Sequence, residues 1–398
     1  MKRKNWPKRF SRRLFSPGTG LGIPSRPRGR HRTGALILSL GFAALLDLSL
    51  ASGNETAPTP APPDLGKTGL YSDYAAKTID SRNLHYSPQY ALWSDGAAKR
   101  RWIYLPPSTS IDTSDPDVWA FPVGTKVWKE FSFHGRKVET RLIEKTSDEE
   151  WRFASYAWNE SESEAILVPS QGFRDVAEIQ TGLRHDIPGV LDCQACHVNA
   201  RTEILGFSAL QLSSDRDPNA PHAEPFTSGM VNLEILIERG LLRSYPPGWR
   251  GRPLRIDAPS PTARAALGYL HGNCGNCHNP SGSLDTLNLI LRHFVAPGAS
   301  GESALKTAVD KKGRFQIPGA APGETFLIHP GDPEHSAVVY RMSSRNPLRQ
   351  MPALGTKLAD ADAIGLVRRW IQEDLAKGEK SLTAGIKNKG HRFMKEEK

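Results

Sequence analysis

The sequence predicts an α+β protein of several domains, in which an N-terminal antiparallel β-domain precedes mostly α-helical regions. Three observations favour this class. Between Tyr71 and about Ser170, short alternating runs rich in aromatic residues are separated by turn residues, as in antiparallel strands. Further along the chain, apolar residues recur at helical spacing. Two copies of Cys-x-x-Cys-His lie in this later part, and they contain the only four cysteines of the 398-residue chain.

Segment 1–51 has the residue order of an export signal peptide. Basic residues up to Arg32 precede an apolar run, Ala35 to Leu46, and the small-residue site Ser49-Leu50-Ala51 follows it. We expect cleavage after this site, with an uncleaved membrane anchor as the alternative. Residues 1–53 contain eleven Lys and Arg and one Asp, so they account for the whole net charge of +10. The charge is therefore no argument for nucleic-acid binding.

A Pro-rich linker at 52–66 and the β-domain at 67–180 come next. Thr56 to Pro63 alternates Pro with small residues, which favours extended backbone. A hairpin turn is predicted at His134-Gly135. The predicted strands are Lys99–Leu105, Thr125–Phe133, Val138–Leu142 and Trp151–Trp158. Whether this domain meets a partner or is only structural stays open.

The first motif lies in a predicted region at 181–256. Pro188 and Gly189 are so near Cys193 that they allow only a short helix before it. A second helix is expected from Met230 to Arg239, where Gly240 ends it.

The second motif lies in a predicted domain at 257–376. Ser260 and Pro261 form a helix N-terminus. Apolar residues then recur at steps of four and three, and the stripe continues into the motif: Ala263, Leu267, Leu270, Cys274 and Cys277. Later helices are expected from Asp332-Pro333 and over Asp360–Leu375. The polar, basic tail 377–398 is predicted to be disordered.

The spacing within each motif predicts covalent haem. Residues at i, i+3 and i+4 share a helix face, so two thiols and an imidazole can reach two vinyl groups and the iron of one porphyrin. The first such set is Cys193, Cys196 and His197, and the second is Cys274, Cys277 and His278. We therefore predict two haem c groups as cofactors, with both histidines as iron ligands.

Two alternatives to haem remain open, a structural zinc site and a disulfide or redox site. Paired zinc knuckles usually lie about 15 to 20 residues apart, whereas Cys196 and Cys274 are 78 positions apart. A zinc site would also leave His197 and His278 without a role. The other alternative is a disulfide or a thioredoxin-like redox site.

The sixth iron ligands decide between a carrier and a catalyst. Met351 stands in a loop between two predicted helices, after the second motif, and is predicted to bind the second iron. Met342 falls on an apolar helix face and is expected in the core. For the first iron, His222 is preferred and Met230 is the alternative; His185, His134 and an open iron also remain possible.

Longer stretches of the chain resemble a family of exported, mostly uncharacterised dihaem c-type cytochromes of bacteria. The stretches that carry this resemblance, besides the two motifs, are Leu92-Trp-Ser-Asp-Gly-Ala-Ala-Lys-Arg-Arg-Trp-Ile-Tyr-Leu105, Phe121-Pro-Val-Gly-Thr-Lys126, Val138-Glu-Thr-Arg-Leu142, His185-Asp-Ile-Pro188, Leu205-Gly-Phe207 and Pro330-Gly-Asp-Pro333. The last region, with Gln350-Met-Pro352 and Arg369-Trp-Ile371, is similar to cytochrome c domains.

The resemblance implies cytochrome c-type haem domains after the β-domain, haem binding and electron transfer. It also supports Met351 as a ligand, and the segment Ala-Pro-His222-Ala-Glu-Pro, which looks like part of the family pattern, raises His222 above Met230.

The function expected from these features is periplasmic electron transfer between redox partner proteins, a donor and an acceptor. The alternatives are a dihaem peroxidase-like enzyme with one open iron and a haem subunit of a larger dehydrogenase. No catalytic residue is assigned. A periplasmic or extracellular location is expected, with membrane association only if the signal segment stays uncleaved.

Overall fold

The computed structural model describes residues 60–198, 200–296 and 303–377. The predicted export signal, the first part of the Pro-rich linker and the basic tail lie outside these residues. Within the three described ranges, no helix is long and apolar enough to cross a membrane.

The N-terminal half is built mainly from antiparallel strands, as predicted, although the short strand Ile111–Asp112 pairs in parallel with Leu242–Arg243 of the later part of the chain. Six of them form one sheet in the order β3-β4-β6-β7-β8-β9, with every neighbouring pair antiparallel. The strands are β1 (Tyr71–Asp73), β2 (Thr78–Ile79), β3 (Leu84–His85), β4 (Ala98–Tyr104), β5 (Ile111–Asp112), β6 (Lys126–Phe133), β7 (Arg136–Lys145), β8 (Trp151–Trp158), β9 (Ala165–Leu167), β10 (Phe173–Gln180), β11 (Leu183–Ile187) and β12 (Leu242–Arg243).

The hairpin between β6 and β7 turns at the predicted position. His134 and Gly135 have φ values of 50° and 78°, which is the left-handed backbone that a two-residue hairpin turn requires. The two strands that it joins are the longest neighbours of the sheet and contribute residues to both of its faces. This hairpin therefore fixes the register at the centre of the sheet.

The two faces of this sheet differ in character. On the outer face, Trp128, Leu142 and Tyr156 form an apolar core with residues that precede the sheet. The other face, here called the inner face, carries the odd-numbered residues of β4, β6, β7 and β8. One end of it is apolar, and there Ile103 packs in a cluster with Phe207 and other residues of the first-motif region. The inner face is therefore covered by chain that follows the β-domain.

The later part of the chain contains six helices in its described residues. They are α1 (Val190–His197), α2 (Leu233–Glu238), α3 (Pro261–Asn273), α4 (Ser303–Ala308), α5 (Ala337–Ser343) and α6 (Ala361–Arg369), the last continued by a wider turn over Trp370–Leu375. The prediction of mostly α-helical regions is not supported, because long non-helical segments separate these short helices. Between Pro318 and Pro333, seven Pro and Gly residues interrupt the backbone hydrogen bonding that a helix needs.

Several helix boundaries agree with the sequence. The Ser260 hydroxyl accepts a hydrogen bond from the Ala263 amide at 2.9 Å, and the helix begins at Pro261, as predicted. α6 begins after Asp360, whose carboxylate caps the Ala363 amide at 3.1 Å.

Other boundaries differ from the sequence-based expectation. The helix expected from Met230 begins at Leu233, because the Asn232 side chain accepts the Ile235 amide and caps it there. The helix expected from Asp332-Pro333 begins at Ala337. The hairpin of β10 and β11, directly before the first motif, was not predicted.

The helices enclose the largest apolar core. It joins α3, α5 and α6 and includes Met342, which confirms the expectation that this methionine packs in the core. Tyr90 from the predicted β-domain and Leu210 from the first-motif region pack in the same core. Residues from all three predicted domains thus contribute to the packing of α3.

Candidate functional site

The first motif lies on α1. This helix begins directly after Gly189, where an added Cβ would lie 2.0 Å from the Ser170 carbonyl oxygen, so only glycine fits. Cys193, Cys196 and His197 occupy its last two turns. The His197 ring lies 5.5 Å from the Phe153 ring of β8, which places the motif against the inner face.

A backbone contact orients the His197 imidazole. Nδ1 lies 2.5 Å from the carbonyl oxygen of Glu203, and since a carbonyl only accepts, Nδ1 carries the proton. Burial, together with the charges of Lys129 and Arg141, lowers the pKa of His197 to about 4. The ring is therefore neutral, with the Nε2 lone pair free to bind a metal.

The second motif forms a helical turn directly after α3. The Cys274 amide donates to the Leu270 carbonyl and the His278 amide donates to the Cys274 carbonyl, both at 2.9 Å. Cys274, Cys277 and His278 therefore have the i, i+3, i+4 relation that the sequence predicted. Gly275 is required inside the motif, because a Cβ there would lie 2.8 Å from the Arg292 Cα.

Residues from the β-domain hold α3 in place. A Cβ on Gly268 would lie 1.9 Å from the Tyr90 ring, so the absence of a side chain allows the two to touch. The Asn273 side-chain oxygen accepts from the Trp93 amide at 2.7 Å, and its amide donates to the Ala91 carbonyl at 3.0 Å. The segment 90–93 thus fixes the residue directly before Cys274.

The His278 imidazole is buried and differs from His197 in its partners. His278 is 8% exposed, and its Nδ1 has no hydrogen-bond partner among the described residues. Burial, with the charge of Arg341, lowers its pKa below the ordinary value. Both motif histidines are therefore neutral rings, the protonation state in which imidazole binds a metal.

All four cysteines are free thiols. Burial raises the pKa of Cys196 to about 11, and the next largest cause is the charge of Cys277 in the other motif. Burial and Cys277 likewise raise the pKa of Cys274 to about 12. Cys277 of the second motif therefore acts electrostatically on a thiol of the first motif.

An ion-pair network lies beside the first motif. Arg141 Nη2 lies 2.6 Å from Glu139 Oε1, and His185 Nε2 lies 3.0 Å from the same oxygen. Burial alone would raise the pKa of Glu139, but the Arg141 charge and the hydrogen bonds from His185 and Arg141 lower it to about 2. Glu139 occupies the Nε2 side of His185, one of the possible ligands for the first iron.

The loop that carries Met351 lies between α5 and α6. The Met351 amide donates to the Arg341 carbonyl at 2.9 Å, and its own carbonyl accepts from Arg345 at 3.1 Å. Burial, with the charge of Arg341, lowers the pKa of His278. The Met351 loop is thus hydrogen-bonded to a residue whose charge acts on the second motif, and Met351 stays the predicted ligand of that site.

The two candidates for the first iron already have polar partners. His222 Nε2 lies 2.8 Å from Asp360 Oδ1, and its ring lies 4.7 Å from the Trp93 ring. Trp93 adjoins the second motif through Asn273, and Asp360 caps α6. The Met230 sulfur accepts from the Thr227 amide at 3.4 Å. The assignment of His222 or Met230 to the first iron stays a prediction.

A row of basic residues on the inner face was missed in the sequence. Arg101, Lys129 and Arg141 are direct cross-strand neighbours on β4, β6 and β7, and Ser155 of β8 continues the row. Each cation stands at an odd position of a predicted strand, so the sequence indicates that all three side chains point to one face of their strands. The sequence does not indicate the strand register, which makes the three residues direct neighbours.

Comparisons with protein-family models, with curated proteins and with solved structures find no match to this chain. In the described part of the chain, no group of three or more His, Cys, Asp or Glu residues is arranged to hold a metal ion.

Proposed function

We propose that the protein is an exported dihaem c-type cytochrome that transfers electrons between redox partner proteins. The observation that carries the proposal is the pair of Cys-x-x-Cys-His motifs, each wound into a helical turn with two free thiols and a neutral histidine. No other residues of the chain combine this spacing with this chemistry.

The residues present fit two haem groups. The thiols of Cys193 and Cys196 would form the thioether bonds of the first, and those of Cys274 and Cys277 would form the bonds of the second. His197 offers Nε2 as an iron ligand because Glu203 fixes the proton on Nδ1. For His278, Nδ1 is buried without a described partner, so no hydrogen bond fixes the proton on one ring nitrogen, and its role as a ligand rests on its place in the motif.

The chain supplies burial, neutral ligands and proximity. Bound haem iron would supply one-electron chemistry, because it cycles between ferric and ferrous states. Burial favours the neutral form of both imidazoles. The effect of Cys277 on the pKa of Cys196 supports neighbouring sites, which electron exchange between two haems requires.

The axial ligands would set the two reduction potentials. We assign Met351 as the sixth ligand of the second iron, and His222, with Met230 as the alternative, as that of the first. A His/Met pair raises the potential, whereas two histidines are expected to keep it lower. Electrons would then pass from the first site to the second.

The remaining parts of the proposal rest on the sequence. Segment 1–51 would direct export to the periplasm or the cell exterior, where covalent haem attachment takes place. Residues 257–376 would form a cytochrome c-like domain, with α3 before the motif and α6 as the closing helix.

A count of haem in the purified protein tests the proposal. The pyridine haemochrome spectrum, divided by polypeptide concentration, is expected to give two haems per chain after acidified-acetone extraction of any non-covalent haem. A value of zero after expression with a working c-type maturation system would contradict it. A value of one would leave a single motif in use and remove the dihaem part.

Carbon monoxide separates the carrier from an enzyme. With both irons six-coordinate, the spectrum of the dithionite-reduced protein is expected to stay unchanged under the gas. Binding to one haem of two would identify an open iron, favour the peroxidase-like alternative and remove the corresponding ligand assignment.

A further inference from the structure

The row Arg101–Lys129–Arg141 places three like charges side by side on the inner face. Directly opposed residues on adjacent antiparallel strands have Cβ atoms about 4.5 to 5.5 Å apart, and like charges at such positions repel. Lys99 stands next to the row on β4 and is 9% exposed. A cluster of four cations on a largely covered sheet face needs negative charge to balance it.

The protein's own carboxylates balance only half of this cluster. Glu139 pairs with Arg141, and Glu224 pairs with Arg101. Lys99 donates to the Ala97 carbonyl at 3.1 Å and has no salt bridge among the described residues. Lys129 has neither a hydrogen bond nor a salt bridge there, and its ammonium lies 4.8 Å from the Phe131 ring centroid. Two positive charges therefore stay without a carboxylate.

A second observation points to a missing acceptor at the same place. Arg101 is 3% exposed, and its Nη2 is buried without a hydrogen-bond partner in the described structure. With no carboxylate beside it, burial and the charges of Arg101 and Lys99 hold the pKa of Lys129 well below its ordinary value, and an anion bound there would raise that pKa and favour the charged ammonium. An unpaired buried guanidinium nitrogen beside an unpaired lysine is the donor set that an anion with carboxylate oxygens would satisfy.

The row ends at the first motif. Ser155 closes it on β8, the strand whose Phe153 ring lies 5.5 Å from the His197 ring of the motif. Strands lie about 4.8 Å apart, so Lys129 is about 10 Å along the row from Ser155. In a haem, the two vinyl groups occupy one edge and the two propionates the opposite edge. A haem attached at Cys193 and Cys196 could therefore direct its propionates along the row.

We propose that Lys129 and Arg101 bind the propionate carboxylates of the haem attached at Cys193 and Cys196, with the inner face of the β-sheet as the wall of that haem's pocket. This inference rests on the proposed function. Two propionates bring the two negative charges that the cluster lacks. The β-domain is then part of the first haem site.

The test uses a spectroelectrochemical titration of the dihaem protein. Lys129→Met removes the charge and keeps most of the side-chain length, and Lys129→Arg keeps the charge. Lys126→Met is the matched control, because Lys126 lies on the same strand but on the outer face, beside Glu144. The haem count is measured for every variant. A haem content below two per chain in the wild type contradicts the proposed function. An unchanged reduction potential in Lys129→Met at two haems per chain contradicts only the propionate assignment.

A cation beside a propionate raises the reduction potential, because it offsets negative charge that favours ferric iron. Lys129→Met is expected to lower one of the two potentials by about 59 mV, a tenfold change in the ratio of reduced to oxidised haem. The affected transition is the one that Cys193→Ser/Cys196→Ser removes. Lys129→Arg and Lys126→Met are expected to leave both transitions in place.

Three results would overturn the inference. One is an unchanged titration of Lys129→Met at two haems per chain. Another is an equal shift of both transitions, or an equal effect of Lys126→Met, because a general change in net charge would then explain it. The third is a shift on addition of phosphate at constant ionic strength in the wild type alone, because the cations would then hold a free anion.

Discussion

The two Cys-x-x-Cys-His motifs have the same spacing but lie in different environments. The first lies on a short helix against a sheet face that carries Arg101, Lys129 and Arg141. The second follows the long helix α3, ten of whose thirteen residues are buried, six of them in the largest apolar core. Cations line the sheet beside the first site, whereas the helix before the second site packs mainly in apolar core.

This difference shows that two motifs with the same residues, and hence the same proposed mode of haem attachment, can have different charges around them. At the first site, a carbonyl fixes the His197 tautomer and a buried ion pair lies next to the thiols. At the second site, His278 Nδ1 lacks a described partner and the main local cation is Arg341. We expect the two sites to respond differently to the same kind of change, and the predictions below exploit this.

The largest expected effect is the loss of one haem at a time. Cys193→Ser/Cys196→Ser is expected to leave one haem per chain, held by the α3 site, whose core lies mainly among α3, α5 and α6. Cys274→Ser/Cys277→Ser is expected to leave the other. Pyridine haemochrome spectra and thermal unfolding of each variant measure this, and loss of both haems from either variant would show that the sites are not independent.

Removing the charge of Glu139 is expected to destabilise the first site strongly. Glu139→Gln leaves the Arg141 guanidinium without its carboxylate next to Cys193, and breaking a buried ion pair costs about 3 to 5 kcal/mol. Chemical denaturation measures the free energy of unfolding. The control is Glu162→Gln, because Glu162 pairs with Lys137 at a partly exposed site and such a pair contributes about 0 to 1 kcal/mol. Equal losses in the two variants would contradict the account.

The same carboxylate predicts a dependence of stability on pH. The pKa of Glu139 is lowered from 4.5 to about 2 in the folded protein. Its contribution is therefore fully present above pH 4.5 and is lost as the pH falls from 4.5 to 2, by about 3 kcal/mol in all. Denaturation curves between pH 5 and pH 2.5 should be less steep in pH for Glu139→Gln than for the wild type. If the free energy of unfolding depended on pH equally in Glu139→Gln and in the wild type, the lowered pKa of Glu139 would be contradicted.

A smaller effect is expected from a methyl group in the second site. Gly268→Ala puts a Cβ 1.9 Å from the Tyr90 ring, and overpacking of this kind costs about 1 to 3 kcal/mol. The control is Gly365→Ala in α6, where the nearest heavy atom is the end of the Arg369 side chain at 3.5 Å. That change is expected to be neutral or stabilising by about 0.5 to 1 kcal/mol. Denaturation of both variants decides whether Tyr90 anchors α3.

Sequence reasoning predicted the local features and missed those that depend on register. The four long strands and the α3 N-terminus at Ser260 follow from alternation and capping, which are local. The pairing of Lys129 with Arg101 and Arg141 depends on strand register, which no single strand encodes. The contact of Gly268 with Tyr90 joins residues far apart in the chain, and no local sequence pattern predicts it. The helix content is lower than predicted because many Pro and Gly residues between the helices interrupt helical hydrogen bonding.

The ligand predictions illustrate the same limit. The position of Met351 in a loop between two helices could be read from the sequence, because a Met-Pro step between apolar periodic segments favours a loop. The partners of His222 could not, because Trp93 and Asp360 come from opposite ends of the chain. A lone histidine in a loop carries no local signal of what it will contact.

The most direct test of the central claim is the intact mass of the mature protein, measured after denaturation in acid with a chelator. Covalent haem survives this treatment, whereas a zinc ion would be lost. The account predicts a chain that is cleaved after Ala51 and whose mass exceeds that of the polypeptide by two haems. One haem is expected on the peptide that contains Cys193 and the other on the peptide that contains Cys274. A mass equal to that of the polypeptide alone, after expression with a working haem-attachment system, would contradict it.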